Sequence, residues 1–563
     1  MPDKKTHSGS HIGLTDGLAA HATGIDPSVL QAGYALLEEE KGMGLRQCLS
    51  THWRAALWSA FLSTALWMEG FDTSIVNSFF GQAQFLSRFG IKVGTKLTIP
   101  ANWQSGLTNA VTVGEIVGLV VTGITQERLG SKVIFIAGMI AMIGAIFIAV
   151  FAQSLPMLLA AELVMGIPWG MFQTMTTAYA AEICPIGLRG YLTSYVAMGW
   201  GGGRFISSGI LVGTNKIPGD WAWRLPYALQ WIWPVPLAVG ALFAPESPWW
   251  LARHGRYEDA KVVLRRITSP NYWDTRDLDA YVAIMKHTDD MEKAESSQGS
   301  WLELFKGTNL RRTEITVCTW IIQVWNGNLI TTLTVELLES AGMSATGAFN
   351  LNLIQNAMSV IGICVSWILL PRVGRRWLYI DGLISEAICL LPIGILGCID
   401  TGAAGARAIG ALTVMINLLE HFSIGPVCYT IVGEVPSARL RARTIVFGRA
   451  MFCINSIIGN QLNPRFVAAD GWNWGAKSAF FHLGTNLLCT TWSYFRLPET
   501  GGLSFADLDI LFANKVNARK FKDVVIHDES AGDAKMADEE DAVGIEKGAT
   551  DDAENAPTAH LEA

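Results

Sequence analysis

Charged residues are scarce in this chain. Asp, Glu, Lys and Arg together make up 16% of its 563 residues, whereas a soluble globular domain usually carries roughly a quarter. The charges are also unevenly placed, because long apolar windows hold almost none and the stretches between them hold nearly all. This distribution argues against an ordinary soluble domain and is typical of a polytopic membrane protein.

Signals of several other protein classes are missing. No phosphate-binding loop, metal-ligand cluster or catalytic triad is found, so we expect no enzyme, cofactor or metal, and nothing favours a nucleic-acid partner. The nine cysteines show no paired spacing. Most of them, such as Cys364, Cys389 and Cys428, lie in apolar segments, where small core hydrophobes are expected rather than disulfides. The first fifty or so residues are polar, which argues against a cleavable signal peptide and favours an uncleaved anchor.

The net charge of −7 reflects only the end of the chain. From Asp528 onward about a dozen acidic residues accompany two lysines, and no aromatic residue occurs. This acidic tail is predicted to be disordered, because it cannot bury enough apolar surface to fold. The body without the tail is slightly basic, so the acidity indicates no partner for the body.

The sequence does contain about twelve apolar windows of bilayer-spanning length. Six precede and six follow a polar stretch, so the predicted fold is an all-α membrane protein with two six-helix halves. The windows lie near 55–80, 104–125, 132–152, 156–180, 190–213, 225–244, 313–338, 347–370, 376–398, 406–433, 444–468 and 475–495. The predicted divisions are an N-terminal tail (1–53), a first bundle (54–244), a central loop (245–312), a second bundle (313–496) and a C-terminal tail (497–563).

Three pairs of short motifs recur in the two halves, in the same order and about 250 residues apart. They are ERLGSK (127–132) with PRVGRR (371–376), EICPIGLR (182–189) with EVPSARLR (434–441), and PESP (245–248) with PETG (498–501). Six helices in each half make this a parallel repeat, as in two-bundle transporters that hold their substrate near the bilayer midplane.

All of these motifs fall in even-numbered loops, which lie on one side of the membrane. The central loop lies on the same side and is rich in Lys and Arg. By the positive-inside rule this side is predicted to be cytoplasmic, and both termini with it. Within the central loop, the stretch YEDAKVVLRRI (257–267) predicts a short amphipathic surface helix.

Charged residues of the motifs are candidates for a gate. Because they lie near helix ends at one face, ion pairs among them would tie the halves together and break when the halves rock apart. The gating candidates are Arg128, Glu182, Arg189, Arg375, Glu434 and Arg441. The alternative is that the arginines only set the topology and their acidic partners are solvated.

Ionisable residues inside the windows form a second set. Glu69 and Asp72 interrupt the first window, where they share a helix face at i and i+3. Glu115 lies in the second window and Arg449 in the eleventh. An acid that alternates between a buried and a cation-paired environment loads and releases a proton, so these four are candidate proton-coupling residues. A static buried ion pair is the alternative.

The motifs resemble those of the sugar porter family of the major facilitator superfamily, and within it the fungal α-glucoside (maltose permease-like) proton symporters. The matching stretches are MEGFDT (68–73), GIPWGMFQT (166–174), YAAEICPIGLRGYLTSY (179–195), APESPWWLARHGR (244–256), LRARTIVFGR (440–449) and LPETGGLSFADLDILF (497–512). The resemblance implies the major facilitator fold, a multi-pass plasma-membrane protein, and proton-driven sugar uptake by alternating access. It also implies that first-helix acids couple proton entry to sugar entry and that the loop charges form an inward-side latch.

The resemblance also implies substrate contacts, and several of these depart from the family pattern. The candidate substrate-binding residues are Arg204, Gln323, Asn326, Glu336, Glu420, His421 and Tyr429. Arg204 stands where a sugar-facing Gln is usual, and Glu336 stands where an aromatic residue is usual. Three interpretations stay open. Arg204 pairs with Glu420 or Glu336 and the cavity takes a neutral polyol; or an unpaired Arg204 selects a sugar acid, a sugar-like pyranone or a fungal metabolite; or these residues face other helices.

The expected partners are therefore a sugar or sugar-like solute, protons and the lipid bilayer. A carrier or exporter of the same fold for a non-sugar, acidic or secondary-metabolite solute is the main alternative to a sugar importer, and the charged departures favour it. A non-transporting nutrient sensor is a third hypothesis. It is disfavoured because the acidic tail is short and lacks signalling motifs.

Overall fold

The computed structural model describes residues 26–93, 96–296, 301–399, 402–437, 440–501, 505–522, 524–526 and 545–547. Twelve helical segments in these residues match the twelve predicted windows, and we number them spans 1 to 12. They are Trp53–Ser63 with Ala65–Phe79, Ala101–Leu129, Ser131–Val150, Leu155–Ile183, Ile186–Thr214, Trp221–Leu229 with Pro234–Phe243, Gly307–Trp325 with Thr334–Ser340, Ala345–Val373, Arg375–Cys398, Gly402–Phe422 with Ile424–Glu434, Arg441–Val467 and Ala479–Arg496.

Shorter elements connect the spans and define the two ends of the molecule. Further helices are Pro27–Gly42, Leu45–Thr51, Ala83–Phe89, Pro248–Arg253, Tyr257–Ile267, Leu278–Ser296 and Phe505–Ala513. Tight 3₁₀ turns are Gln230–Ile232, Trp301–Phe305, Asn328–Leu333, Gly475–Ser478 and Ala518–Lys520. The antiparallel strands Ile91–Val93 and Lys96–Thr98 form a hairpin. We call the end that carries this hairpin the hairpin end, and the opposite end, which carries the repeated motifs, the motif end.

Seven of the twelve spans in the described residues are long enough and apolar enough to cross a bilayer by composition alone. They are spans 2, 3, 4, 6, 8, 9 and 10. Spans 1, 7 and 11 bring polar side chains to a central cavity, among them Asn77, Asn328 and Asn460. Other polar side chains of these spans, such as Asp72 and Asn326, are buried between helices. In both places they avoid the cost of exposure to lipid.

Glycines let helices of the first half touch through their backbones. A Cβ added at Gly118 of span 2 would lie 2.0 Å from a carbonyl oxygen of span 4, and one added at Gly170 of span 4 would lie 2.1 Å from a carbonyl oxygen of span 2. Spans 1 and 5 meet in the same way at Gly70 and Gly203, where the corresponding distances are 2.3 and 2.0 Å. Small residues at helix contacts of this kind replace the hydrophobic driving force that is absent in lipid.

We expect Gly118→Ala to lower the yield of folded protein several-fold, because a methyl group at this contact forces spans 2 and 4 apart at a cost of about 1–3 kcal/mol or more. Gly123→Ala is the matched control on the same span, since a Cβ added there meets nothing within 4 Å. The measurement is the monodisperse peak of a fluorescent fusion in detergent. Equal peaks for the two variants would show that the backbone contact is dispensable.

The central segment folds against the N-terminal helices. Tyr257–Ile267 is a helix that buries one face, with Ala260, Leu264 and Ile267, and exposes the other. The predicted surface helix is therefore confirmed. The following loop is tied back to the first helices, because the backbone N–H of Ser269 donates to the carbonyl oxygen of Thr51 at 2.7 Å and Arg276 forms an ion pair with Glu39. Residues of the predicted N-terminal tail therefore have structure of their own at the motif end.

All nine cysteines are free, so the prediction that they form no disulfides is confirmed. Cys389 and Cys428 are buried, as small core hydrophobes should be. Cys364 is exposed on span 8 instead, on a face that a membrane protein presents to lipid, so burial does not describe every member of the set.

Most of the acidic tail lies outside the described residues. Its residues Ile545–Lys547 form a short strand that pairs antiparallel with Val524–Ile526. At these three positions the prediction of disorder differs from the structure, which gives them backbone hydrogen-bond partners.

Candidate functional site

A cavity of about 310 Å³ lies between the two halves, a size within the range of small-molecule sites. Spans 1, 2, 5, 7, 8, 10 and 11 line it. The predicted site residues that reach it are Glu69, Glu115, Arg204, Gln323, Glu420, His421, Tyr429 and Arg449. Asp72, Asn326 and Glu336 are absent from the described lining, and each of them has contacts elsewhere.

Hydrogen bonds join the two halves at the hairpin end. Asn109 of span 2 donates to the carbonyl oxygen of Ile457 in span 11 at 3.3 Å, and the first N–H of span 2, that of Ala101, donates to Asp470 at 3.0 Å. On the other side of the seam, further contacts join span 8 to spans 1 and 5; they are Asn352 with Ser78 and Asn356 with Ser208. We call these contacts the hairpin-end belt. In this conformation the belt holds the two halves together on the hairpin side of the cavity.

A hydrogen-bonded chain crosses between the halves inside the cavity. Gln173 of span 4 donates from Nε2 to Oε1 of Glu69 at 2.8 Å and accepts from Nη2 of Arg449 at 2.6 Å. The side chain of Glu115 contacts Gln173 as well. Arg449 also lies 4.5 Å above the ring of Phe452, a cation–π contact that favours its charge in a desolvated place. Gln173 lies within one of the matched motifs, but sequence reasoning missed it because the proton-coupling candidates were chosen by charge.

Asp72 does not share the surroundings of Glu69. It accepts a hydrogen bond from Gln230 of span 6, and its carboxyl group contacts that of Glu162 in span 4. Tyr227 donates to Oε1 of Glu162 at 2.7 Å. The sequence predicts that Glu69 and Asp72 share a helix face, but only Glu69 reaches the cavity. Positions i and i+3 differ by about 60° around a helix axis, which is enough to turn Asp72 away from the cavity.

A second pair of acids lies in the other half, with Glu420 at the cavity wall and Glu386 behind it. The carboxyl groups of Glu420 and Glu386 contact one another, and Asn326 donates to Glu420 at 2.5 Å. Asn326 is fully buried. It therefore does not line the cavity as predicted, and its side chain instead positions the carboxyl group of Glu420. Sequence reasoning missed Glu386 and Glu162, although Glu162 is a lone acid in an apolar window, the same signal that singled out Glu115, and Glu386 shares its window with only one other acid, Asp381.

Arg204 projects from span 5 into the cavity. Within the described residues it forms no ion pair, and its guanidinium donates no hydrogen bond. The predicted contact with Glu336 is excluded, because Glu336 lies at the hairpin end and accepts from Gln104 at 3.2 Å. The physical reason is a break in span 7. Gly327 adopts a φ of +113°, and the 3₁₀ turn Asn328–Leu333 that follows changes the direction in which later side chains point.

The remaining predicted contacts do line the cavity. Tyr429 lies between two tryptophans, with ring centroids 5.0 Å from Trp320 and 6.3 Å from Trp200. Gln323 donates to the carbonyl oxygen of Gly425 at 3.2 Å. His421 Nδ1 lies 2.8 Å from the carbonyl oxygen of Asn417, which leaves Nε2 toward the cavity. Aromatic faces beside hydrogen-bonding groups suit a ligand with a hydroxylated ring.

At the motif end, the two repeats build the same structure. Glu246 accepts from the backbone N–H groups of Ser131 and Lys132 at 3.1 and 3.2 Å. Glu499 accepts from the backbone N–H groups of Arg375 and Arg376 at 2.9 and 3.1 Å. Each carboxylate therefore sits on the N-terminus of a span, where unpaired N–H groups and the helix dipole favour an anion. Gly130 and Gly374, which precede these helices, have φ angles of +83° and +89°. These positive angles let the chain turn beneath the acid.

Three of the gating candidates, Glu182, Arg375 and Glu434, form ion pairs, but neither pair joins the two bundles as the expected gate would. Glu434 pairs with Arg375 at 2.9 Å within the second half. Glu182 pairs with Arg253 of the central segment, which was not among the gating candidates. Arg128 is exposed and forms no ion pair with a described residue, so its predicted place in the gate is not seen. The side chain of Arg189 lies outside the description, and Arg441 is half-buried at the start of span 11.

We expect Arg253→Ala to lower the maximal transport rate several-fold, because Glu182 loses its partner and the end of span 4 is no longer tied to the central segment. Arg128→Ala removes an equal charge from the same end and is expected to transport like the parent. The measurement is initial uptake normalised to surface protein. A larger loss in Arg128→Ala than in Arg253→Ala would contradict the assignment.

Comparisons with known sequences give consistent results. A family model described as "Sugar (and other) transporter" matches residues 58–512. The general alpha-glucoside permease of Saccharomyces cerevisiae is 36% identical over 494 residues, which cover 87% of this chain and 80% of that protein. A maltose permease of the same yeast is 37% identical over 511 residues, covering 89% and 82%. An alpha-glucosides permease, also from that yeast, is 39% identical over 494 residues, covering 86% and 82%.

Solved structures share the fold. The xylose transporter XylE from E. coli, in a partially occluded inward-open conformation, superimposes with a TM-score of 0.65 at 18% identity, over 80% of this chain and 99% of that one. The same proton:xylose symporter bound to 6-bromo-6-deoxy-D-glucose gives 0.64 at 20% identity, over 82% and 98%. The predicted arrangement of two six-helix halves is thereby confirmed.

Proposed function

The chain belongs to the sugar (and other) transporter family, and from that premise we propose that it is a proton symporter that takes up an α-glucoside or a related glycoside by alternating access. The observation that supports this best is the chain from Glu69 through Gln173 to Arg449. It places an acid of one half and a cation of the other on a single hydrogen-bonded path, inside a cavity between the two halves.

Protonation of Glu69 loosens that path. A charge-assisted hydrogen bond is roughly twice as strong as a neutral one, so the bond from Gln173 weakens when Glu69 becomes neutral. Arg449 then loses part of the charge that opposes its own. The halves are therefore held together differently in the two protonation states, which is what a proton-coupled carrier requires. Glu115, on the same amide, is the second acid of this site.

Asp72 and Glu162 hold a proton behind the cavity. Two buried carboxyl groups in contact do not both ionise, because their charges repel in a medium that screens them poorly. We assign Asp72 a relay role that does not touch the solute. The pairs Glu182–Arg253 and Glu434–Arg375 fasten helix ends within their own halves at the motif end, so that each bundle moves as one body.

The motif end is proposed to be cytoplasmic and the hairpin end extracellular, in the plasma membrane, with the two bundles 54–244 and 313–496 as the bodies that rock. The support is the positive-inside rule applied to the Arg- and Lys-rich central segment. The hairpin-end belt then makes this the inward-facing state. Labelling of a cysteine introduced at Lys92 by an impermeant reagent tests the orientation, since it should react from outside in intact cells.

Uptake of radiolabelled maltose and other α-glucosides by a yeast strain without its own permeases tests the function. We expect accumulation above the external concentration at acidic pH and its collapse with a protonophore. Correctly localised protein that accumulates no glycoside under these conditions would overturn the proposal.

A further inference from the structure

Arg204 is a charged side chain of the cavity that the proposed coupling mechanism leaves unused. Its guanidinium carries five N–H donors, and none of them is taken up by a described residue. A cation at membrane depth is costly unless it is paired or solvated. Its donors are therefore available to whatever occupies the cavity.

The nearby acids cannot take those donors without breaking other contacts. The charges of Glu69 and Glu420 act on Arg204 from a distance, but both carboxyl groups are turned elsewhere. Glu69 accepts from Gln173 at 2.8 Å, and Glu420 accepts from Asn326 at 2.5 Å and contacts Glu386. Tyr429 and His421 of span 10 are the other titratable groups that face Arg204, and neither is an anion at neutral pH.

The chemistry around Arg204 favours a carboxylate that is attached to a sugar. A guanidinium binds a carboxylate through two parallel hydrogen bonds. One helical turn before it, Trp200 presents a ring beside Tyr429, a surface for the apolar face of a pyranose. Gln323, Asn328 and Ser456 line the same space and suit hydroxyl groups.

We propose that Arg204 is an anion-binding residue of the substrate site, and that the preferred substrate is an acidic glycoside, such as a disaccharide with one uronic acid unit. This inference rests on the proposed function, because it concerns the substrate class of the same cavity. A substrate carboxylate would explain why an arginine stands at the position where the family that the chain resembles usually has a Gln.

The arrangement also links the anion to the proton. When Glu69 takes up a proton, Arg204 loses one of the two negative charges that oppose it. A bound carboxylate restores that balance, so the proton and the acidic substrate favour each other's binding. One proton and one carboxylate carry no net charge across the membrane. A neutral glycoside with one proton carries one positive charge.

Purified full-length protein in liposomes tests both statements. Under an inward pH gradient we expect glucuronosyl-glucose to be taken up at least tenfold more efficiently than maltose. A potassium diffusion potential, negative inside, should stimulate maltose uptake and leave uptake of the acid unchanged. Arg204→Gln should lower the affinity for the acid by about ten- to a hundredfold, the usual range for a lost charged hydrogen bond, while maltose uptake is kept or raised.

Two control variants complete the set. Arg204→Lys keeps the charge but loses the paired donors, so it should retain part of the selectivity. Arg407→Gln removes an arginine from an exposed position near the start of span 10 and should behave as the parent. An unchanged acid-to-neutral ratio in Arg204→Gln would overturn the inference.

Binding measured without transport separates this inference from the proposed function. Calorimetric titration of glucuronosyl-glucose into the detergent-solubilised parent and Arg204→Gln reports the contact directly. Binding that depends on Arg204, in a protein that moves no solute, would support the inference and overturn the transport proposal. Intact maltose transport in a parent that neither binds nor moves the acid would overturn the inference alone.

Discussion

Replacing Glu69 by Gln is expected to abolish accumulation against a gradient, so that the internal substrate concentration rises only to the external one. Gln has nearly the shape of a protonated Glu but never releases a proton, and so the path through Gln173 to Arg449 stays in its protonated form. Solute exchange across the membrane needs no proton cycle and should continue. Accumulation at acidic pH and counterflow exchange, measured in the same vesicles, check the two halves of this prediction.

Asp72→Asn should give the same loss of accumulation by a different route. Asp72 does not reach the cavity, so its replacement should leave the affinity for the solute unchanged, whereas Glu69→Gln changes the charge inside the site. Asp381→Asn, at an exposed position of span 9, is the matched control and should accumulate normally. Full uphill transport in both Glu69→Gln and Asp72→Asn would rule out their assigned roles.

Replacing Arg449 by Gln is expected to remove most of the folded protein from the membrane. Arg449 is the cation that offsets Glu69 and Glu115, and breaking a buried charge arrangement by removing one partner costs about 3–5 kcal/mol. That is a large fraction of the roughly 5–15 kcal/mol that usually holds a domain folded. Surface expression and the thermal stability of the solubilised protein measure the effect.

The double variant Arg449→Gln with Glu115→Gln separates charge balance from shape. Removing an acid together with the cation should restore much of the expression but none of the proton-driven accumulation, because the path from Glu69 still lacks its cationic end. Arg128→Gln, which removes an exposed arginine, should leave expression unchanged. If Arg449→Gln alone expresses like the parent, the guanidinium does not balance these acids.

The windows and the repeat could be read from the sequence because both depend on local chemistry. An apolar run of bilayer length becomes a helix whatever its neighbours are, since no other structure satisfies its backbone in lipid. The motif glycines recur because the chain turns with a positive φ before each of spans 3 and 9. The motif acids recur because the N-termini of both helices favour an anion. Glu246 and Glu499 fill this role, and their place in PESP and PETG marked them before their partners were known.

The surroundings of the buried charges could not be read in this way. Whether Asp72 meets the cavity or Glu162 depends on how span 1 is rotated against spans 4 and 6, and periodicity alone does not set that rotation. The displacement of Glu336 depends on a helix break at Gly327, which the sequence marks only as a glycine in an apolar window. For Arg204 the sequence left open whether it pairs with an acid, binds an anionic solute or faces another helix. Only the positions of its neighbours in the fold distinguish these alternatives.

The helix break at Gly327 has a counterpart in span 10, where Phe422 ends one helix and Ile424 begins the next. Both interruptions lie in the second half and beside the cavity. Spans 1 and 6 of the first half are interrupted as well, but the second segment of span 1 is held against span 5 by the backbone contacts at Gly70 and Gly203. Interrupted helices bend by changing a few dihedral angles. We therefore expect spans 7 and 10 to bend at their interruptions when a solute binds, and the glycine-braced spans 1, 2, 4 and 5 to move as one body.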